Sequence, residues 1–185
     1  MSCSRPSWHP GRDESSRRMS IVKQELNQAR THRTRPIKAM PTDVTSRAVS
    51  LLGGPQNLQM TGFTPFDWVS AIRRGFPSRA LELFATKLGA KHLEVAGMLG
   101  VSVRTLAERR RKESLSPYES ERLLRAAITV ARAEDVFGDL TLARAWLNAT
   151  NISLGGVSPA SLLDTGAGAE LVADALGRIE HGIFV

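Results

Sequence analysis

Four histidines, one cysteine and a scatter of carboxylates are the residues of this chain that could do covalent or acid–base chemistry. His9 and His32 lie in the first forty residues, His92 opens a helical stretch and His181 lies near the end. No two stand four apart, the spacing at which one helix face offers two imidazoles to a metal. Cys3 has no second cysteine, so an intramolecular disulfide and a multi-cysteine zinc site are both excluded. Neither a GxSxG elbow nor a GxxxxGK[ST] phosphate loop occurs. Gly166-Ala167-Gly168 lacks the third glycine of a dinucleotide fingerprint and follows a helix break, not a strand. Glu170 and Asp174 stack at i, i+4, where paired acids could share proton work, but a solvated helix face has the same spacing. Glu180 and His181 are adjacent, and adjacent helical residues do not face each other. The residues therefore assign no catalytic, metal or cofactor site, and the enzyme reading is set aside.

The other chemistry available is electrostatic. Arg109-Arg110-Arg111-Lys112 is a dense run of phosphate-seeking charge. It closes the stretch HLEVAGMLGVSVRTLAERRR, residues 92–111, whose spacing suits a helix-turn-helix. Ala96 is the small residue where two helices cross, and Gly100 tolerates a left-handed turn. Val95, Leu99, Val101 and Leu106 hold the pair together, and Ser102 caps the second helix. The expected recognition helix covers 102–112. Ser102, Arg104 and Thr105 lie at its N-terminal end, where base edges are reached. Arg104 could read guanine, while Arg109, Arg111 and Lys112 would position the protein on phosphates. A helical hairpin with a solvated charged face is the alternative. Glu108 faces DNA in this register, and Arg109 occupies a site where an apolar residue often packs.

These residues must be positioned by helices. The chain has 185 residues and a net charge of +7, and 42% of it is apolar, enough for one domain or two small ones. The charge is uneven: residues 1–50 carry net +6 and residues 136–185 net −3. Such asymmetry suggests two jobs in two regions. No run approaches a membrane span, and the first residues lack a signal-like apolar stretch, so a cytoplasmic protein is expected. Residues 1–41 read as a disordered or weakly helical basic extension. From residue 42 the chain reads as successive helices. Thr42 or Asp43 caps one that Gly53-Gly54-Pro55 ends. Thr64-Pro65 opens another that stops at a left-handed Gly75. Residues 77–88 bury Ala80, Leu81, Leu83, Phe84 and Leu88. Ser116-Pro117-Tyr118-Glu119 is a capping box opening the longest helix, whose stripe is Leu123, Leu124, Ala127, Ile128 and Ala131. Asp139 or Thr141 begins a helix with Ala143, Trp146 and Leu147. Ser158-Pro159 caps a short one. Thr165 opens the last, with Leu171, Val172, Ala175, Leu176 and Ile179 inward. No segment alternates with period two. The expected fold is all-α, with a helix-turn-helix bundle over 42–137 and a small helical unit over 138–185.

The C-terminal unit adds short motifs in a fixed order: Trp146-Leu147, Asn151, Leu154-Gly155-Gly156, Pro159, Leu162-Leu163-Asp164-Thr165 and Gly177-Arg178-Ile179-Glu180-His181-Gly182. Upstream come Leu51-Leu52-Gly53-Gly54, Arg73-Arg74-Gly75-Phe76-Pro77 and Ala131-Arg132-Ala133-Glu134. Together they resemble the Xre/MbcA/ParS family of antitoxins over about residues 44–185. Thr150 stands where that family usually has proline, and Ala160 where it often has leucine. The resemblance implies a type II antitoxin that binds a cognate toxin, commonly one with a RES domain that consumes NAD⁺. The C-terminal domain would cover the toxin's active site, and the helix-turn-helix would repress the operon. Arg178, Glu180, His181, Gly182, Ile183, Phe184 and Val185 are the expected toxin-binding residues. Operator DNA and a second copy of the chain are the other expected partners. A stand-alone regulator whose C-terminal unit only dimerises is the alternative.

Overall fold

The structure, a computed structural model, describes residues 42–182, which lie in one compact unit. The expected basic extension, 1–41, and the expected tail Ile183-Phe184-Val185 lie outside the described residues. Every element named among the described residues is helical, with two isolated antiparallel bridges, Pro77 to Ser114 and Asn151 to Val157. The fold is all-α.

Helix α1 runs Thr42–Leu51, and a short helix α2, Gly54–Asn57, follows at once. Sequence reasoning missed α2. Gly53 ends α1 with φ 97 and becomes the N-cap of the next turn, so a stop and a start share one glycine. Helix α3, Pro65–Arg74, carries a capping box: Thr64 accepts from the Asp67 N–H while Asp67 accepts from the Thr64 N–H at 2.8 Å. Gly75 ends it with φ 87 but ψ 135, extended rather than left-handed helical. The reason is the next contact. The Leu115 N–H donates to the Phe76 carbonyl at 2.8 Å, so the chain must leave α3 straight, past the Leu115 backbone. Helix α4, Ser78–Leu88, buries Ala80, Leu81, Phe84 and Leu88, with Leu83 half-buried.

Helices α5, His92–Met98, and α6, Val103–Arg109, form the helix-turn-helix. Helix α7, Pro117–Phe137, is the axis of the molecule, and α1, α3, α8 (Leu140–Asn148) and α9 (Gly166–Glu180) all pack against it. At 21 residues it is about 30 Å long. Its burial is wider than the expected stripe. Leu123, Ala126, Ala127, Val130, Ala131 and Ala133 are all fully buried. Small alanines let neighbours approach from several sides, which makes α7 a central helix and not an amphipathic one. Two 3₁₀ turns, Ile152–Leu154 and Pro159–Leu162, join α8 to α9. Ser158 stands at the second turn's N-cap, but its side chain makes no cap bond; its carbonyl accepts from Ser161 instead.

One expected core residue is not in the core. Leu171 is 54% exposed, whereas Val172, Ala175 and Leu176 face inward. Counting along α9, Leu171 lies one step off the buried arc, on the face that no other element covers. Among the described residues no helix is long and apolar enough to cross a membrane.

Candidate functional site

The helix-turn-helix is assembled as its residues demand. Ala96 is 2% exposed at the crossing of α5 and α6, and Val95, Leu99 and Leu106 are buried around it. Gly100 holds φ 58. It also sits against the rest of the molecule, since a Cβ there would lie 2.7 Å from Arg122 Nη1 and 2.9 Å from Asp164 Cβ. Both the turn and the close approach exclude a side chain. Ser102 Oγ accepts from the Thr105 N–H at 3.0 Å and lies 2.9 Å from the Thr105 hydroxyl, so the two expected base-proximal hydroxyls meet at the N-terminus of α6.

The basic residues divide into two groups. Arg104 is outward, its side chain 89% exposed, and it meets Glu108 one turn on at 3.2 Å. Glu108 thus has its own counter-charge on the exposed face. Arg109 turns inward instead. Its Nε lies 2.5 Å from Glu119 Oε1, and Glu119 is almost buried. The guanidinium fills the place where an apolar residue often packs. Glu119 is also the N3 residue of the α7 capping box and accepts from the Ser116 N–H at 2.9 Å and hydroxyl at 2.8 Å. Burial pushes its carboxyl up, but the bonds from Ser116 and Arg109 outweigh that and hold it below the usual range. Arg110 joins Glu82 at 3.3 Å and His92 Nε2 at 2.7 Å.

Arg111 and Lys112 do not continue the helix as expected. Helix α6 ends at Arg109, and the Arg111 and Lys112 N–H groups donate three residues back, to Glu108 and Arg109. The chain has to tighten there to reach the bridge between Ser114 and Pro77. Both residues stay exposed, and their side chains make no hydrogen bond or ion pair among the described residues.

The C-terminal motifs are structural joints. Asp139 caps α8 through two N–H groups, Thr141 at 2.8 Å and Leu142 at 3.0 Å, which hold its carboxyl below the usual range. Trp146 packs in a tilted arrangement against Phe137, with ring centres 5.6 Å apart. Asn151 closes its own loop. Its N–H donates to Val157, its carbonyl accepts from Gly156, and its Oδ1 accepts from the Ser153 N–H and hydroxyl. Thr165 caps α9 by accepting from Gly168 at 3.1 Å. A methyl group on Gly168 would overlap the Leu162 carbonyl, so Gly166-Ala167-Gly168 forms a closely packed helix start. Arg178 is half-buried, while Glu180, His181 and Gly182 are exposed at the end of α9.

Three arginines that sequence reasoning passed over tie the two regions together. Arg122 donates to the Leu99 carbonyl at 2.6 Å, in the helix-turn-helix turn, with its guanidinium 4.1 Å from the Tyr118 ring centre. Arg125, one turn on, donates to the Leu163 and Asp164 carbonyls at 3.3 and 3.5 Å. Arg144 on α8 meets both oxygens of Glu94 on α5, at 3.2 and 3.1 Å. The available signal was the i, i+3 pair Arg122 and Arg125 beside the stripe of α7.

The comparisons with known proteins follow the same layout. A family model described as the antitoxin Xre-like helix-turn-helix domain matches residues 67–127. One described as the antitoxin Xre/MbcA/ParS C-terminal toxin-binding domain matches residues 132–182. Antitoxin Xre of Yersinia enterocolitica is 35% identical over 118 residues, 63% of this chain and 80% of that protein. Antitoxin Xre of Photorhabdus laumondii is 36% identical over 92 residues, 49% of this chain and 62% of that protein. A Prs ADP-ribosylating antitoxin of a Sphingobium species is 29% identical over 131 residues, 65% of this chain and 82% of that protein. Both family models run into α7, the helix that carries both sets of joints, and the Yersinia relative is matched over four-fifths of its length. With its helix-turn-helix and its C-terminal motifs in that order, the chain belongs to the Xre/MbcA/ParS family of antitoxins.

Proposed function

We propose that this antitoxin neutralises a RES-type, NAD⁺-consuming toxin by covering its active site with residues 138–185, and that it represses its own operon as a homodimer through α6. The outer face of α9 carries the first part. Glu170, Leu171 and Asp174 share that face, all exposed, and Ile152 in the adjoining 3₁₀ turn is 95% exposed. Among the described residues Glu170 and Asp174 have no ion-pair partner. Apolar knobs between unpaired carboxylates match a pocket that is apolar inside and cationic at its rim, as a site for a dinucleotide pyrophosphate must be. The Sphingobium relative's name supports the chemistry, because ADP-ribosylation spends NAD⁺. Arg178, Glu180, His181 and Gly182 lead from this face toward residues 183–185, which would enter the pocket.

For the operator, Ser102, Arg104 and Thr105 face base edges, while Arg111 and Lys112 hold phosphates from the turn behind the helix. Arg109 acts here through position: it anchors α6 to α7 through Glu119. The test is co-expression with the toxin encoded beside this gene. Growth is rescued by the intact chain, and deletion of residues 178–185 abolishes rescue. Full rescue by the deleted chain, or the absence of any neighbouring toxin gene together with no rescue, overturns the reading and favours a stand-alone regulator.

A further inference from the structure

The short helix α2 and the start of α4 frame a polar groove that lies outside both the helix-turn-helix and the C-terminal unit. Its volume is about 520 Å³. Gln56, Asn57 and Gln59 form one wall, and Arg79 and Leu83, one turn apart on α4, form the other. Two sets of bonds fix the first wall. Asn57 Nδ2 donates to the Leu52 carbonyl at 2.8 Å, and Arg74 donates to the Leu58 and Gln59 carbonyls at 3.1 and 3.0 Å. With its carbonyl so held, Gln59 takes φ 51, the one residue other than glycine in the left-handed region among the described residues. The wall is fixed, yet the groups it presents are unspent. The side chains of Gln56, Gln59 and Arg79 are exposed and make no hydrogen bond or ion pair among the described residues.

The groove is continuous with the basic turn behind α6. Segments 76–78 and 113–115 run antiparallel. The Leu115 N–H donates to the Phe76 carbonyl, Pro77 bridges Ser114, and the Ser78 N–H donates to the Glu113 carbonyl at 3.1 Å. The next positions along that register are Arg79 and Lys112, with Arg111 behind Lys112. Three unpaired cations from two elements therefore gather at one end of the groove, against one exposed carboxylate, Glu113. Glu82, one turn along α4, is taken by Arg110. Cations beside neutral amide donors suit a sugar–phosphate backbone. Arg and Lys take phosphate oxygens, and Gln side chains donate to phosphate and sugar without reading bases. We propose that the groove between α2 and α4 holds the DNA backbone beside the half-site read by α6, with Arg79 as its phosphate contact and Gln56 and Gln59 as its neutral donors.

This rests on the operator-binding reading and enlarges its footprint. Gln56 and Gln59 precede the residues matched by the helix-turn-helix model, which begin at 67. An acidic protein surface is the less fitting occupant. One carboxylate uses one cation, whereas a backbone that repeats its charge at every nucleotide uses the whole row of Arg79, Lys112 and Arg111 and continues onto α6.

The experiment measures the affinity of the full chain for its operator and for an unrelated duplex at several salt concentrations, with toxin inhibition measured on the same samples. Arg79→Ala is expected to reduce the salt slope by about 0.9 on both duplexes. Binding then weakens about eightfold at about 0.1 M salt, and the preference for operator is unchanged. Arg79→Glu reduces the slope further. Gln56→Ala combined with Gln59→Ala weakens binding about tenfold with the slope unchanged, because neutral donors displace no counterions. Lys87→Ala, which removes the same charge from the far end of α4, keeps the parent slope. A parent slope in both Arg79 variants overturns the proposal and leaves the operator reading standing. An equal fall in Lys87→Ala overturns it as well, since net charge alone would then be the cause. Loss of toxin inhibition in Arg79→Ala with operator binding intact overturns it in favour of an acidic toxin surface. A parent that binds neither duplex removes the operator reading itself, and this surface with it.

Discussion

Glu119 shows how one side chain can serve two elements. It closes the capping box of α7 and holds Arg109 of α6, so the same carboxylate starts the central helix and seats the second helix of the helix-turn-helix. Its carboxyl is held below its usual value, near 4.5, so the unfolded chain takes up its proton first as pH falls. The stabilisation is therefore complete above that value and is lost as pH drops through the lower, folded one. Glu119→Gln is expected to cost about 2 kcal/mol at pH 7, less than a fully buried pair because Arg109 is partly solvated. Urea unfolding measures it. The variant should also lose part of the acid dependence of its midpoint as pH falls below that usual value. Parallel pH profiles for the two proteins would remove Glu119 as the source.

At the scale of elements, helix starts were the most legible feature. Thr64, Ser102, Ser116, Asp139 and Thr165 each cap the helix expected of them, because a cap is a bond within three residues and its partners are neighbours in the chain. Helix ends and outward faces were less legible, since distant contacts decide them. Helix α6 stops at Arg109 because its chain must meet Pro77, and Leu171 points outward because nothing covers that side of α9. The inward turn of Arg109 depended on Glu119, ten residues on in another helix. That division of labour within the basic run makes a prediction for operator binding. Arg104→Ala is expected to weaken specific binding by about 1–3 kcal/mol and relax preference at one base pair. Arg111→Ala is expected to weaken all sequences alike and reduce the salt slope by about one. Gel shifts at several salt concentrations separate the two, and unchanged shifts in both would remove this helix and its turn from the DNA interface.

For the whole molecule, the charge total of +7 said less than its distribution. Most of the excess lies in the first fifty residues, while the acidic last quarter carries the exposed face of α9. The order of motifs along the chain was enough to suggest two regions. It did not show that they are bolted together. Arg122 and Arg125 grip the helix-turn-helix turn and the Leu163-Asp164 joint from successive turns of α7, and Arg144 reaches back to Glu94. A ligand on one region therefore acts on a unit shared with the other, and any effect of toxin on operator affinity must be matched by an equal effect of operator on toxin affinity. The central claim is that the C-terminal unit stops an NAD⁺-consuming toxin by covering its active site. NAD⁺ turnover by the cognate toxin, followed during titration with this chain, tests it most directly. Turnover should fall to background at about one equivalent of the intact chain and persist with a chain lacking residues 178–185 that still shifts operator DNA. Undiminished turnover with the intact chain, or equal inhibition by the shortened one, would contradict the account.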